Sequence, residues 1–224
     1  MRTNLQDQFT QAIRHSIQRW TSIIGLGIAL LLLLSPPALA HHPLGGRLPT
    51  NAFEGLFSGL AHPVIGMDHL AFVIAAGLVG ALISRGIVIP AAFVLASLGG
   101  TGLHLMLFDL PAPEFVIAAS VLLFGVVLAL GKSLNLPMVV ALGAIAGLFH
   151  GYAYGEAIVG AEMTPLFAYL IGFMGVQLGI SLAAWKVGSV LLKNNAIQGL
   201  LRLRFIGFAL CGVGAVFLSE LVLG

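Results

Sequence analysis

The chain has 224 residues, of which 59% are apolar, 8% are charged and 29 are glycine, with a mean hydropathy of +1.07. A soluble domain carries about 25% charged residues, so this composition excludes a soluble enzyme and a disordered segment. Its ten Lys and Arg are scattered singly, which excludes a nucleic-acid binder, and its one cysteine excludes a disulfide framework or a Cys-rich metal site. What remains is a single-domain, all-α polytopic membrane protein.

Residues 1–40 read as a cleavable signal peptide. Arg2, Arg14 and Arg19 supply the positive region, Thr21 to Leu34 an apolar stretch, and Ala38-Leu39-Ala40 a small-residue cleavage site. The apolar stretch is shorter than the roughly 20 residues a bilayer requires. Cleavage leaves His41-His42-Pro43 at the start of a six-span domain, 41–224.

Six apolar segments follow, near residues 64–84, 87–109, 115–131, 136–156, 165–185 and 200–222. A short apolar piece, 52–61, precedes the first, and Pro63 and Gly66 between them predict a broken or re-entrant entry. The segments are rich in Gly, Ala and Ser, the residues that let helix backbones approach in lipid. Basic residues in short loops set orientation. Arg85, Lys132, Lys186, Lys193, Arg202 and Arg204 fall on one side, and only Arg47 on the other. This places the mature N-terminus and the C-terminus outside. Gly125 to Ser133 ends in Gly-Lys-Ser, but Val126 stands where a phosphate loop needs its first glycine, so no ATPase is read from it.

Ionisable groups inside a bilayer are costly and mark candidate sites. His62-Pro63-Val64-Ile65-Gly66-Met67-Asp68-His69 lies at the outer entrance of the first span. In an unbroken helix His62 and His69 would stand about 10.5 Å apart, too far to share an ion held at about 2 Å. A break can fold them together, and irregular backbone is tolerated where it lines a cavity. His104, near the outer end of the second span, and His150, near that of the fourth, fall at similar depth. Glu156 lies six residues beyond His150, about 240° around a helix, so the two do not share a face, whereas Tyr154 and His150 do. Convergence of these groups from three spans is the strongest signal in the residues themselves. Axial haem ligation by His104 and His150, as in a b-type cytochrome, is a competing reading. So is a metal-dependent intramembrane hydrolase with Glu156 as base, although no His-Glu-x-x-His element is present.

The pair of motifs, His62-x5-Asp68-His69 in the first span and Phe149-His150-Gly151-x-Ala153-x-Gly155-Glu156 in the fourth, resembles the HupE/UreJ family of hydrogenase and urease accessory membrane proteins. The resemblance implies a Ni²⁺ permease, with Co²⁺ as a second substrate, in the cytoplasmic membrane, and no enzymatic activity. It implies a metal-handling role for His62, Asp68, His69, His150 and Glu156. His104 at the same depth, and His41 and His42 at the mature N-terminus, complete the candidate metal set. Many members carry a second histidine where this chain has Tyr154. No permanently bound cofactor is expected; the ion is the transported substrate. The expected partners are that ion, the lipid bilayer and, indirectly, hydrogenase or urease maturation, and a homo-oligomer is compatible with the sequence. A mixed imidazole and carboxylate set suits Ni²⁺, Co²⁺ or Zn²⁺, and the absence of thiolate ligands argues against Cu(I).

Overall fold

A computed structural model describes residues 47–132 and 134–223. The signal peptide, His41 and His42 therefore lie outside the described residues. Seven helices follow in order: α1 (Ala52–Ile65), α2 (Met67–Ala81), α3 (Val88–Leu105), α4 (Pro113–Leu130), α5 (Leu136–Glu156), α6 (Met163–Asn194) and α7 (Ala196–Leu223). Five of these are long and apolar enough to cross a membrane, and α1 with α2 forms a sixth candidate span bent by 78°. The described chain is thus an all-helical, multi-pass membrane protein.

The bend sits at Gly66 and not at Pro63. Pro63 remains inside α1, within its last turn, where it withholds the amide donor that the Gly59 carbonyl would otherwise take but does not end the helix. Gly66 turns the chain with φ −70° and ψ 100°, its amide still donating to the His62 carbonyl at 3.1 Å. It ends α1 and starts α2 in one residue. At its other end, α1 is held by a reciprocal cap. The Asn51 side chain accepts from the Glu54 amide at 2.9 Å, and the Glu54 carboxylate accepts from Thr50 N at 2.9 Å. Arg47 grips the same carboxylate with both terminal nitrogens, at 2.8 and 2.9 Å. Glu54 is the anchor of this entry.

Helix α2 is the axis of the bundle. Phe72, Val73, Ala75, Ala76 and Val79 are fully buried on one side, and Ala71, Gly77 and Leu78 are buried on the other, as expected of a helix apolar on all sides. It packs against α3, α4, α6 and α7, while the most intimate pairs around it are α3 with α5, α4 with α7 and α1 with α6. Glycine makes those pairs possible. A Cβ on Gly151 would strike the Ser97 backbone, one on Gly100 the Leu148 backbone, and one on Gly207 the Ala129 backbone. Thr101 ties the α3–α5 seam with a hydroxyl that donates to the Gly151 carbonyl at 2.7 Å.

The last two helices run further than the apolar segments predict. Residues 186–199, expected as a connection, are helical apart from Asn195, whose side chain caps α7 by accepting from the Gln198 amide at 3.0 Å. At 32 residues, α6 is about 48 Å long, well beyond a hydrocarbon core of about 30 Å. Lys186 and Lys193 lie on this extension, where long cationic side chains can reach polar surroundings without ending the helix.

Candidate metal site

Three imidazoles and two phenols meet where α1, α2, α5 and α6 converge. His62 from α1 is 5% exposed, His69 from α2 3%, and His150 and Tyr154 from α5 and Tyr169 from α6 are completely buried. The bend at Gly66 makes the meeting possible, because the His62 and His69 ring centroids lie 5.8 Å apart at 65°, about half the separation of an unbroken helix. Tyr154 faces both rings, at 5.0 Å from His62 and 4.5 Å from His69. His150 lies 4.9 Å from His69 and rests on Phe72 at 4.7 Å and Phe93 at 5.7 Å.

The hydrogen bonds determine the tautomer of each ring. Ser120 donates its hydroxyl proton to the Ile117 carbonyl at 2.7 Å, so at 3.1 Å it accepts from His150 Nε2. Neutral His150 then has its lone pair on Nδ1, which accepts from His69 Nδ1–H at 2.7 Å. In the same way, Tyr169 donates to the Tyr154 carbonyl at 2.8 Å and accepts from His62 Nδ1–H at 2.9 Å. These bonds assign the Nε2 lone pair to both His62 and His69, and Nε2 is a nitrogen able to ligate a metal. Each has its other nitrogen fixed by a partner, which is how ligating imidazoles are oriented. Two imidazoles on one ion at about 2.0–2.1 Å place their centroids between roughly 4.5 and 6.4 Å apart. The observed 5.8 Å falls in that window.

Asp68 is partly exposed, and its Oδ1 accepts from the His69 amide at 2.7 Å, so it fixes the first turn of α2. Glu156 ends α5 and is exposed, on a different face from His150. His104 is also apart from the cluster. Its ring stacks 4.3 Å from Tyr152, its Nδ1 is buried without a hydrogen-bond partner among the described residues, and a Cβ on Gly155 would press on it. Tyr152 lies two residues, about 200°, around α5 from His150, so His104 and His150 pack on different faces. Both ring nitrogens of His150 are engaged by Ser120 and His69. Among the described residues, no three His, Cys, Asp or Glu side chains form a group able to hold a metal ion. Tyr154 occupies the third corner.

Reading the sequence for ionisable groups inside the bilayer missed Tyr169, Ser120 and Gln177, because none of them is charged. Their signal is different: a hydroxyl or amide inside an apolar span must find a partner. Tyr169 and Ser120 found theirs on histidines.

The HupE / UreJ protein family matches residues 28–217. Protein HupE of Rhizobium leguminosarum bv. viciae is 30% identical over 165 residues, covering 70% of this chain and 83% of that protein. No solved structure matches the chain. The matched span contains every helix from α1 to α6 and most of α7, and with them the whole histidine cluster. The chain belongs to the HupE/UreJ family.

Proposed function

We propose that this protein carries Ni²⁺, or Co²⁺, inward across the cytoplasmic membrane for hydrogenase or urease maturation. The observation that carries the reading is the bend at Gly66, which brings two oriented imidazoles from opposite sides of a broken helix into a buried cluster. In this reading His62 and His69 are the ligands. His150 and Tyr169 are positioning residues that hold their rings, and Tyr154 completes the pocket wall. An incomplete nitrogen set is what a permease needs, since the ion must bind well enough to enter and weakly enough to leave.

Ion entry begins at the side of the membrane that holds Arg47 and few other cations, with His41 and His42 as first contacts and Asp68, His104 and Glu156 toward the mouth. All seven acidic residues beyond the leader fall at or toward that side, and six of seven basic residues fall on the other. A divalent ion moving inward gains about 4.6 kcal/mol per 100 mV, twice the single-charge value, so uptake requires no ATP. No enzymatic step is assigned.

The test is uptake of radiolabelled nickel into proteoliposomes with an inside-negative potential, with cobalt, zinc and manganese as competitors. Wild-type protein is expected to take up nickel, with cobalt competing best. His69→Ala and His62→Ala are expected to abolish uptake while still inserting in the membrane. Wild-type rates from both variants would overturn the proposal.

A further inference from the structure

Gln177 stands apart from the histidine cluster and has no role in it. It lies in the middle of α6 and is completely buried, and neither its amide oxygen nor its amide nitrogen has a hydrogen-bond partner among the described residues. A neighbouring carbonyl does not satisfy it, nor does Ser181, which turns its own hydroxyl back onto the Gln177 backbone carbonyl at 2.7 Å. A primary amide carries two donors and an acceptor with two lone pairs, and buried polar groups are normally paired. An amide left wholly unpaired at membrane depth is the kind of group that marks a pathway for a polar substrate.

Its register gives its place on such a path. Tyr169, Phe173, Gln177 and Ser181 follow one another at four-residue steps along a single ridge of α6, and all four are fully buried. Tyr169 is the residue that holds His62, so the ridge starts at the cluster. Gln177 is eight residues on, about 12 Å along the helix. Gly77 of α2 packs against Ser181, and Ala81 against Gly188, so α2 and α6 run side by side from the cluster toward the end that carries Lys186. Gln177 and, one turn further on, Ser181 are the buried polar side chains that α6 places between the histidines and that end.

We propose that Gln177 is a second station for the divalent cation, an oxygen site that accepts the ion or its water shell from the histidine nitrogens on the inward leg. The inference rests on the uptake reading above. An amide oxygen is a weaker donor than imidazole for late first-row divalent ions. A step from nitrogen to oxygen ligands therefore runs from tight toward loose binding, the order that release requires. The second lone pair of the same oxygen can accept from a water of the departing ion's shell.

The test uses the full-length protein in detergent and in proteoliposomes, with Ni²⁺ as the probe. Gln177→Leu removes the amide at similar volume and fills an apolar seam, so it is expected to fold with a melting temperature no lower than wild type. Its equilibrium nickel affinity is expected to stay within about twofold of wild type, because the histidines are untouched. Its uptake is expected to fall about tenfold, with Gln177→Glu retaining more uptake than Gln177→Leu. Wild-type uptake by Gln177→Leu overturns the second station, as does joint loss of nickel affinity and uptake, which would place the amide in the histidine site itself. If wild-type protein takes up no nickel or cobalt, the uptake reading fails first, and the proposal falls with it.

Discussion

His69 and His150 meet nitrogen to nitrogen, Nδ1 against Nδ1 at 2.7 Å, with one proton between them. The relay behind this contact, Ile117 carbonyl to Ser120 to His150 to His69, fixes which nitrogen of His69 carries the lone pair. The expected consequence is graded. His150→Ala leaves the His69 N–H and the Ser120 oxygen unsatisfied in a buried place, a loss of about 1–3 kcal/mol for each. His150→Asn keeps a carbonyl oxygen where Nδ1 stood and so keeps an acceptor for His69. Nickel uptake is expected to fall by more than about tenfold in His150→Ala and distinctly less in His150→Asn. Comparable loss in both variants would make His150 a metal ligand and not a positioning residue. Thermal melts of the two purified variants give the matching stability order.

Tyr169 performs the corresponding service for His62. Tyr169→Phe removes one oxygen and leaves both the His62 Nδ1–H and the Tyr154 carbonyl without the partner they share. One buried group left unpaired costs about 1–3 kcal/mol. The variant is expected to melt several degrees lower and to show a KM for nickel raised about fivefold, the equivalent of about 1 kcal/mol, with maximal rate less affected. Initial rates across a nickel concentration series separate the two parameters. An unchanged KM would detach Tyr169 from the site.

Gly66 is a steric requirement of the bend. A Cβ there would lie 2.6 Å from Cδ2 of the His69 ring and 3.3 Å from the Asp68 carboxylate. Elsewhere a ring would swing aside, but His69 is tied to His150 and faces Tyr154. Gly66→Ala is therefore expected to insert in the membrane and to lose most nickel binding, read by equilibrium titration of the purified variant. A Gly66→Ala protein that binds nickel as well as wild type would mean that the His69 ring does not need its present position.

The sequence made the spans and the broken entry legible because both follow from local chemistry: apolar length, small-residue content and a Pro–Gly pair. It also singled out His62, His69 and His150, since an imidazole in lipid is conspicuous by itself. It did not reveal that Gly66, and not Pro63, turns the chain, because a proline near a helix end is compatible with either outcome. Nor did it reveal that α6 and α7 stay helical through residues 186–199, where lysines and arginines mark an interface but do not stop a helix. Tyr169, Ser120 and Gln177 were hidden for a different reason. Their meaning depends on which helices are neighbours, and that is decided by glycine seams such as Gly151 against Ser97 and Gly59 against Tyr169. Single-chain periodicity carries no information about such pairs.

Tyr154 fills the third side of the histidine cluster. Its ring faces both His62 and His69, and its hydroxyl is buried without a hydrogen-bond partner among the described residues. A neutral phenol is a poor ligand for Ni²⁺, whereas imidazole is a good one. Tyr154→His places a third nitrogen beside the two whose lone pairs are already set, and the smaller ring leaves room for an ion. Nickel affinity is expected to rise by about tenfold or more, since one added ligand needs to contribute only about 1.4 kcal/mol for that gain. The same gain slows departure, because a tighter site holds the ion longer. Steady uptake at saturating nickel is therefore expected to fall while uptake at low nickel holds or improves. Isothermal titration in detergent and uptake at two nickel concentrations check both halves. Tighter binding without slower saturated uptake would show that release from the histidine cluster does not limit transport.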